Sequence, residues 1–460
     1  MINKKYNIDK IFLIFLFTHL LIWTFIPSVS NINLPLDVIE ALAWGSDLSW
    51  GYNKHPPVSA WFVEGFYQIF GNQDWAYYFL SQLFVVIAFF IVYEFSKDFF
   101  KDKNLSLISV LLLEGIYFFN FTTPEFNVNV CQMPFWSLTV YYCWKGLKKN
   151  DIFIWFIFGF IAAFGVLSKY LFIYLLAAID IFFIYLLINK KFNYKSLISI
   201  ISFIIIIIPH FIWLSDNNFI TFTYAFKRTG LNESQFIDHI LNPLIFLSKQ
   251  VGILIPFLIM CVLTISKFKT KINLKDKKFL FLFTINFVPI ILMFLTSFFI
   301  GAKLRTMWMT PFYLFMGVFF VYLYKKNINV SKLKYFLSLF LILFIFSPLA
   351  YFLVSITQTD KKTDYPGKKI SSEVQKNWNK NFSNKIDLVS GNEWHGGNLS
   401  YHLNSRPKWD NILESKQSTL TKKSNIGFVL IGESEILSKI CVGVFFIVEK
   451  LGVCMNGEKK

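Results

Sequence analysis

Long apolar runs alternate with short polar segments along most of this chain. A helix that spans a membrane needs about 20 mostly apolar residues, and eleven runs approach that length. They lie near 11–28, 75–95, 105–121, 126–145, 151–168, 170–188, 197–214, 244–266, 279–300, 307–325 and 334–355. The pattern predicts an all-α polytopic membrane protein with about eleven transmembrane helices.

The hydrophobic pattern changes near residue 356. A polar linker at 360–364 leads into a tail in which the runs 386–390 and 426–431 are short and rich in β-branched and aliphatic residues. Such runs favour strands. We therefore expect a transmembrane domain over 1–355 and a small soluble α/β domain over 356–460.

Composition supports a membrane protein and excludes an ordinary soluble one. Hydrophobic residues make up 55% of the chain and the mean hydropathy is +0.51, values that are rare in soluble domains. The net charge of +17 arises from lysines in short clusters between apolar runs, not from one basic face. This arrangement is typical of cytoplasmic loops and excludes nucleic acid as the partner.

Charge also predicts the orientation of the chain. With the N-terminus in the cytoplasm, the inner segments hold 22 lysines and the outer segments hold 6 lysines and arginines. The positive-inside rule then places the C-terminal domain outside. Two outer segments, 29–74 and 215–243, are too long to be turns and are expected to roof an active site. Within the first, 58–70 reads as an amphipathic helix.

The cysteines of the tail leave one question open. Cys441 and Cys454 both lie in the domain predicted to be extracytoplasmic. Disulfides form in oxidising compartments, so a disulfide and two free thiols are both consistent with the sequence.

The first long outer segment carries the most informative motif. Asp37 stands just beyond the first apolar run, and Lys54-His55-Pro56-Pro57 follows. This arrangement resembles the first outer loop of the GT-C glycosyltransferases, the superfamily of protein O-mannosyltransferases and the lipid A aminoarabinose transferase. Other similar segments are Thr123-Pro124-Glu125, 165–170, 209–213 with Arg228, 301–308 and 401–407. This chain differs from the family pattern at Val38, where many members have a second acidic residue.

The resemblance implies a function. It suggests an enzyme of the bacterial inner (cytoplasmic) membrane that takes a monosaccharide from a polyprenyl-phosphate donor. The acceptor would be lipopolysaccharide or another lipid, a cell-surface glycan or a protein in the periplasm. A GT-C-like helical fold is implied as well.

The residue types fit that chemistry. Transfer requires a carboxylate that deprotonates the acceptor and cations that neutralise the departing phosphate. Asp37 is the candidate general base, Glu125 is a second candidate catalytic carboxylate, and Glu40 carries less weight. The candidate phosphate-binding or substrate-binding residues are Lys54, His55, Lys169, Tyr170, Arg228, Lys303 and Arg305.

Each of these residues has an alternative role. Asp37 or Glu125 would cap the helix that follows it, His55 would fix its loop, and Lys303 and Arg305 would anchor the chain at the membrane interface. No metal site is assigned. His55, Glu64 and His210 have suitable side chains without a motif spacing, so a divalent metal stays an open alternative.

Two other functional classes compete with the enzyme. A transporter or flippase of lipid-linked sugars would need charged residues deep in its spans. Glu114 and Asp180 are such residues, with no partner evident in the sequence. A structural scaffold would leave the outer carboxylate and cations unexplained, so the sequence favours the enzyme.

Overall fold

The computed structural model describes residues 7–230, 235–270, 272–328, 332–410 and 426–460. The chain divides into two compact units. The first unit comprises the residues up to Ile26, Trp50–Val58 and Ser81–Phe352, and the second comprises Pro27–Ser49, Ser59–Leu80 and Leu353–Lys460.

Helices dominate the chain up to residue 357. In order they are α1 Ile8–Ser30, α2 Leu36–Gly45, α3 Val58–Phe70, α4 Asp74–Lys97, α5 Lys103–Leu111, α6 Val128–Lys149, α7 Ile152–Ser168, α8 Ile173–Ile188, α9 Ile198–Asp216, α10 Ile220–Thr229, α11 Asp238–Thr264, α12 Lys277–Ile300, α13 Met316–Tyr324 and α14 Leu333–Thr357. Several begin at side chains that cap the free backbone N–H groups, including Asp102, Asn127, Asp151 and Asp276.

Among the described residues, seven helices are long and apolar enough to cross a membrane, and the number rises to eight if a bent pair is one span. The seven are Ile8–Ser30, Asp74–Lys97, Tyr170–Ile188, Tyr194–Asp216, Asp238–Thr264, Lys277–Ile300 and Leu333–Thr357. The bent pair joins Thr306–Tyr313 to Met316–Tyr324 at 49°. Helices suit this environment because their backbone groups are satisfied within the segment. The protein is therefore a multi-pass membrane protein.

The predicted number of eleven spans is not confirmed. The run at 105–121 forms α5 and two short 3₁₀ turns instead of one long helix. The run at 126–145 forms α6, whose buried face carries polar residues such as Asn129 and Gln132, and α7 has 17 residues.

The broken run contains a buried glutamate that is hydrogen-bonded to a histidine. Glu114 lies in the 3₁₀ turn Leu112–Gly115, and its Oε1 is 2.7 Å from Nδ1 of His19 on α1. Both side chains are buried. The sequence shows no partner for Glu114 because the two residues are 95 positions apart.

The C-terminal tail contains α15 Gly367–Asn381, α16 Glu393–His402, α17 Ser434–Ile440 and a five-stranded sheet. The strands are β1 Leu388–Ser390, β2 Lys408–Asp410, β3 Phe428–Glu433, β4 Val444–Val448 and β5 Leu451–Asn456. Their order is β2-β1-β3-β5-β4. β1 is parallel to β2 and β3, while β5 is antiparallel to β3 and β4. The predicted small α/β fold is present.

The second unit has an apolar core in the tail. Val389 and Val429 are paired across β1 and β3 and are fully buried, together with Trp378 of α15. Cys441 and Cys454 form a disulfide, which resolves the alternative that the sequence left open.

Candidate functional site

Lys169 and Tyr170 lie at a break between two helices. α7 ends at Ser168, Lys169 has an extended backbone, and the 3₁₀ turn Tyr170–Phe172 leads into α8. The buried Lys169 Nζ donates a hydrogen bond to Oδ1 of Asn129, in the first turn of α6. The same ammonium lies 5.1 Å from the ring centroid of Trp308. An amide and an aromatic ring thus orient the charge of Lys169.

Tyr170 belongs to a polar chain within the first unit. Its hydroxyl is 2.8 Å from Nε2 of His210 and 3.2 Å from the hydroxyl of Thr221. Nδ1 of His210 is 2.5 Å from the carbonyl oxygen of Trp50. Because a carbonyl only accepts, Nδ1 donates this bond, and Nε2 of the neutral ring then accepts from Tyr170. This chain joins α9 to the loop that carries Lys54 and His55.

A close packing contact fixes the same loop. Gly51 lies against Trp213 of α9, where an added Cβ would be 2.3 Å from the indole ring. Beyond it, the N–H of Tyr52 donates to the carbonyl oxygen of His55 over 3.1 Å and closes a turn. The ammonium of Lys54 lies 6.0 Å from the ring centroid of Tyr224.

Four residues of the first unit form what we call the His55 cluster: Lys54, His55, Lys169 and Arg228. The pKa of His55 is lowered from its ordinary value of 6.5 to about 3, chiefly by burial and then by the positive charges of Lys169, Lys54 and Arg228, in that order. Only cations close to the ring have such an effect. The structure therefore brings together three of the predicted phosphate-binding cations around a neutral imidazole.

The predicted basic segment at 301–308 begins beside the end of α10. The N–H of Lys303 donates to the carbonyl oxygen of Thr229 over 3.1 Å, next to Arg228. Gly301, with a φ of 71°, ends α12, and its carbonyl oxygen accepts from Asn242 over 2.8 Å. Lys303 and Arg305 are exposed.

Glu125 precedes α6 and is half-buried. The predicted alternative, that it caps this helix, is wrong because Asn127 is the capping residue and accepts from the N–H groups of Asn129 and Val130. The preceding Thr123 is held by Ser81, whose hydroxyl donates to its carbonyl oxygen over 2.5 Å.

Asp37 lies in the second unit, in the first turn of α2. The alternative role as an N-cap is wrong here as well, because the N-cap position of α2 is Pro35. Asp37 and Glu40 are both half-buried. The N-terminus of a helix stabilises a carboxylate through the helix dipole.

The tail holds both ends of α2 within the second unit. Before the helix, the N–H of Asn33 donates to the carbonyl oxygen of Thr363 over 2.9 Å. After it, the N–H of Trp409 donates to the hydroxyl of Ser46 over 2.8 Å. In between, Gly397 of α16 approaches so closely that an added Cβ would be 3.0 Å from the Ile39 side chain.

Arg406 is a residue of this arrangement that the sequence did not single out by itself. Its guanidinium donates to the carbonyl oxygen of Leu42 and to the hydroxyl of Ser400, both over 2.7 Å, and to Oε2 of Glu64 over 2.6 Å. It also lies 4.3 Å from the ring centroid of Tyr67. The signal for Arg406 is its position inside 401–407, one of the segments that resemble the GT-C family.

Glu64 and His210, two of the three residues considered as metal ligands, make other contacts. Glu64 binds Arg406, and both ring nitrogens of His210 have the partners described above. Within the described part of the chain, no three His, Cys, Asp or Glu residues are grouped so as to hold a metal ion.

Comparisons with known proteins agree with this architecture. The family model of the dolichyl-phosphate-mannose-protein mannosyltransferases matches residues 54–213. The crystal structure of ArnT from Cupriavidus metallidurans bound to undecaprenyl phosphate superposes with a TM-score of 0.61 at 12% identity, covering 96% of this chain and 98% of that one. The chain has the GT-C fold.

The apo structure of the same ArnT gives a TM-score of 0.59 at 12% identity, covering 96% of this chain and 97% of ArnT. No curated protein sequence matches this GT-C chain. The resemblance inferred from the sequence is thus confirmed. The matched segment 54–213 includes Lys54, His55, Lys169 and Tyr170.

Proposed function

We propose that this GT-C protein is a glycosyltransferase that moves a monosaccharide from a polyprenyl-phosphate donor to an acceptor in the periplasm. The observation that carries the proposal is the His55 cluster, because three cations around a neutral imidazole suit a phosphate better than a neutral ligand. The family-model match over the same residues and the ArnT-like fold support it.

The reaction assigns a role to each group. Asp37 takes the proton of the acceptor's hydroxyl, or of a similar nucleophile, as general base. The acceptor atom then forms a bond to the anomeric carbon of the sugar, and the bond from that carbon to the phosphate oxygen breaks. The electron pair leaves with the polyprenyl phosphate, whose negative charge is stabilised by Lys54, Lys169 and Arg228.

Other candidates have supporting roles. Lys303, beside Arg228 at the end of α10, and Arg305 extend the basic surface toward the donor phosphate. Tyr170 and His210 hold the loop of Lys54 and His55 in place, and Glu125 orients the acceptor. The acceptor is a lipid such as lipopolysaccharide, a cell-surface glycan or a protein.

A groove between α8 and α12 suits the lipid part of the donor. It has a volume of about 430 Å³ and is lined mainly by apolar side chains, among them Ile173, Leu292, Leu295 and Phe299. α8 follows Tyr170 along the chain, and α12 ends just before Lys303. If an isoprenoid chain occupied this groove, its phosphate would lie at the groove end that is next to Tyr170 and Lys303.

Mass spectrometry of lipid and glycan fractions tests the proposal. We compare cells with the intact gene, without it, and with Asp37→Asn, and use Glu40→Gln on the same helix as the matched control. Loss of the base should lower transfer at least about 100-fold. A sugar-sized mass should therefore disappear from one acceptor in the null and Asp37→Asn strains and persist in Glu40→Gln. Asp37→Asn activity within severalfold of the parent would remove Asp37 from the mechanism.

The second candidate is a transporter or flippase of lipid-linked sugars. The buried pair of His19 and Glu114 favours it, since ionisable pairs inside membrane segments often serve transport. In the same experiment, accumulation of a lipid-linked sugar on one leaflet, with no acceptor losing its sugar, would select this function and exclude the transferase.

A further inference from the structure

A second basic region lies in the first unit, where α11 and α13 end and α12 begins. A cavity of about 470 Å³ opens there, and Lys267, Lys269, Lys325 and Lys326 line it. We call it the lysine cavity. These residues belong to segments predicted to face the cytoplasm, whereas the His55 cluster belongs to segments predicted to face outward.

Hydrogen bonds between two segments build the walls of the lysine cavity. The hydroxyl of Thr270 donates to the carbonyl oxygen of Leu323 over 3.1 Å. The side-chain amide of Asn327 donates to the carbonyl oxygen of Lys269 over 2.5 Å, and the N–H of Ser266 donates to the carbonyl oxygen of Asn327 over 2.9 Å. The lysines therefore belong to segments that hydrogen bonds hold together.

The charge of the lysine cavity is strongly positive. Among the described residues that line the cavity, Asp276 is the one with a carboxylate side chain. One oxygen of Asp276 accepts from the N–H of Lys278 over 3.0 Å and caps α12, while the other accepts from the hydroxyl of Tyr322. Four lysines thus line the cavity together with one carboxylate, which already accepts two hydrogen bonds.

Apolar side chains share the cavity with these charges. Ile272, Phe279 and Leu323 line it, and the neighbouring helices α11 and α12 are membrane spans by length and composition. A free phosphate would gain nothing from apolar walls, whereas a phospholipid offers phosphate to the lysines and hydrocarbon to these residues. Basic pockets between helices at the cytoplasmic face are known binding sites for anionic headgroups.

We propose that the lysine cavity binds the headgroup of an anionic phospholipid, with a preference for one that carries two phosphodiesters. Four lysines against one carboxylate leave an excess charge larger than one phosphodiester neutralises. Because the lysine cavity and the His55 cluster share no residue, this binding can be measured without sugar transfer.

Native mass spectrometry of the purified full chain in detergent tests this site. Cardiolipin, phosphatidylglycerol and phosphatidylcholine are titrated in turn. The wild-type chain should hold cardiolipin at least about tenfold more tightly than phosphatidylcholine, since each surface lysine contributes about 1 kcal/mol toward anionic lipid. Lys269→Ala with Lys326→Ala should lose this preference, and the same pair changed to Arg should keep it.

Lys10→Ala with Lys101→Ala is the matched control, because both lysines are exposed and lie in segments predicted to face the same side. It should bind cardiolipin as the wild type does. Equal affinity of the wild type for all three lipids, or an unchanged preference in the Ala pair, would overturn the proposal. Inorganic phosphate that displaces the lipid at equal concentration would identify a site for free phosphate and would overturn it too.

Discussion

The His55 cluster and the lysine cavity are both basic, yet their lysines have different surroundings. In the His55 cluster, Lys169 is buried, is oriented by an amide and an indole ring, and helps to lower the pKa of His55. In the lysine cavity, the lysines Lys267, Lys269, Lys325 and Lys326 are exposed at the cavity walls.

This difference separates two uses of positive charge. Many lysines on one side orient a membrane protein and attract anionic lipid, and this effect depends on their number. A buried cation interacts with a phosphate in a medium of low dielectric constant, where each charge has a larger effect. The predicted outer side has few cations, and we expect those few to determine the chemistry.

The strongest test of this comparison replaces one lysine in each region. Lys169→Met should lower transfer at least about 100-fold, because a buried group that stabilises the leaving phosphate is lost. Lys269→Met should leave it within about threefold. Sugar transfer by both variants is measured in proteoliposomes. As the control, each variant must elute as a folded species. Equal losses in the two variants would refute the distinction.

A smaller effect is expected for the exposed outer cations. Lys303→Ala and Arg305→Ala should each raise the apparent donor constant about fivefold to tenfold, with little change in the rate at saturating donor, because each loses one charged contact to the bound phosphate. Steady-state kinetics with varied donor concentration separates the two parameters. An unchanged donor constant would return Lys303 and Arg305 to the role of interface anchors.

The smallest effect concerns acid stability. The pKa of His55 is about 3 in the folded chain and 6.5 ordinarily, so the unfolded chain binds more protons between these values. The free energy of unfolding should fall as the pH drops from 6.5 toward 3, with a slope of at most about 1.4 kcal/mol per pH unit from this residue. His55→Asn should therefore reduce the loss of thermal stability between pH 6.5 and 5.

Asn53→Ser serves as the control for a change in the same loop that removes no titratable group. It should follow the wild-type pH dependence of the unfolding temperature. If His55→Asn also follows the wild type, burial and the neighbouring cations do not keep the His55 ring neutral, and the electrostatic contrast between the two regions is lost.

Local patterns predicted much of the fold. Amphipathic spacing over 58–70 corresponds to α3, and the β-branched runs correspond to β1 and β3. The failure at 105–121 has a local cause, since Glu114, Gly115 and Asn120 interrupt an otherwise apolar run and its helix ends at Leu111. Hydropathy alone does not detect such a break, because flanking Phe and Leu residues maintain the average.

The chemistry suggested the residue types of the candidate site, which stay a prediction, but the sequence could not suggest their contacts. Outer cations and a carboxylate follow from the chemistry, and the structure groups Lys54, Lys169 and Arg228 around His55. The contact of Arg406 with Glu64 joins residues 342 positions apart. No periodicity relates positions so distant, so only the folded chain shows that the tail holds α2.

The contacts of α2 with the tail also set an order of assembly. Leu42 leaves the ribosome early, whereas its partner Arg406 lies 364 positions later, and contacts between such distant positions form late. The helix that carries Asp37 therefore cannot take up its final position until nearly the whole chain has been made. A protein whose synthesis stops before the tail would possess its membrane helices and still lack the contacts that hold α2, the helix of the proposed base Asp37.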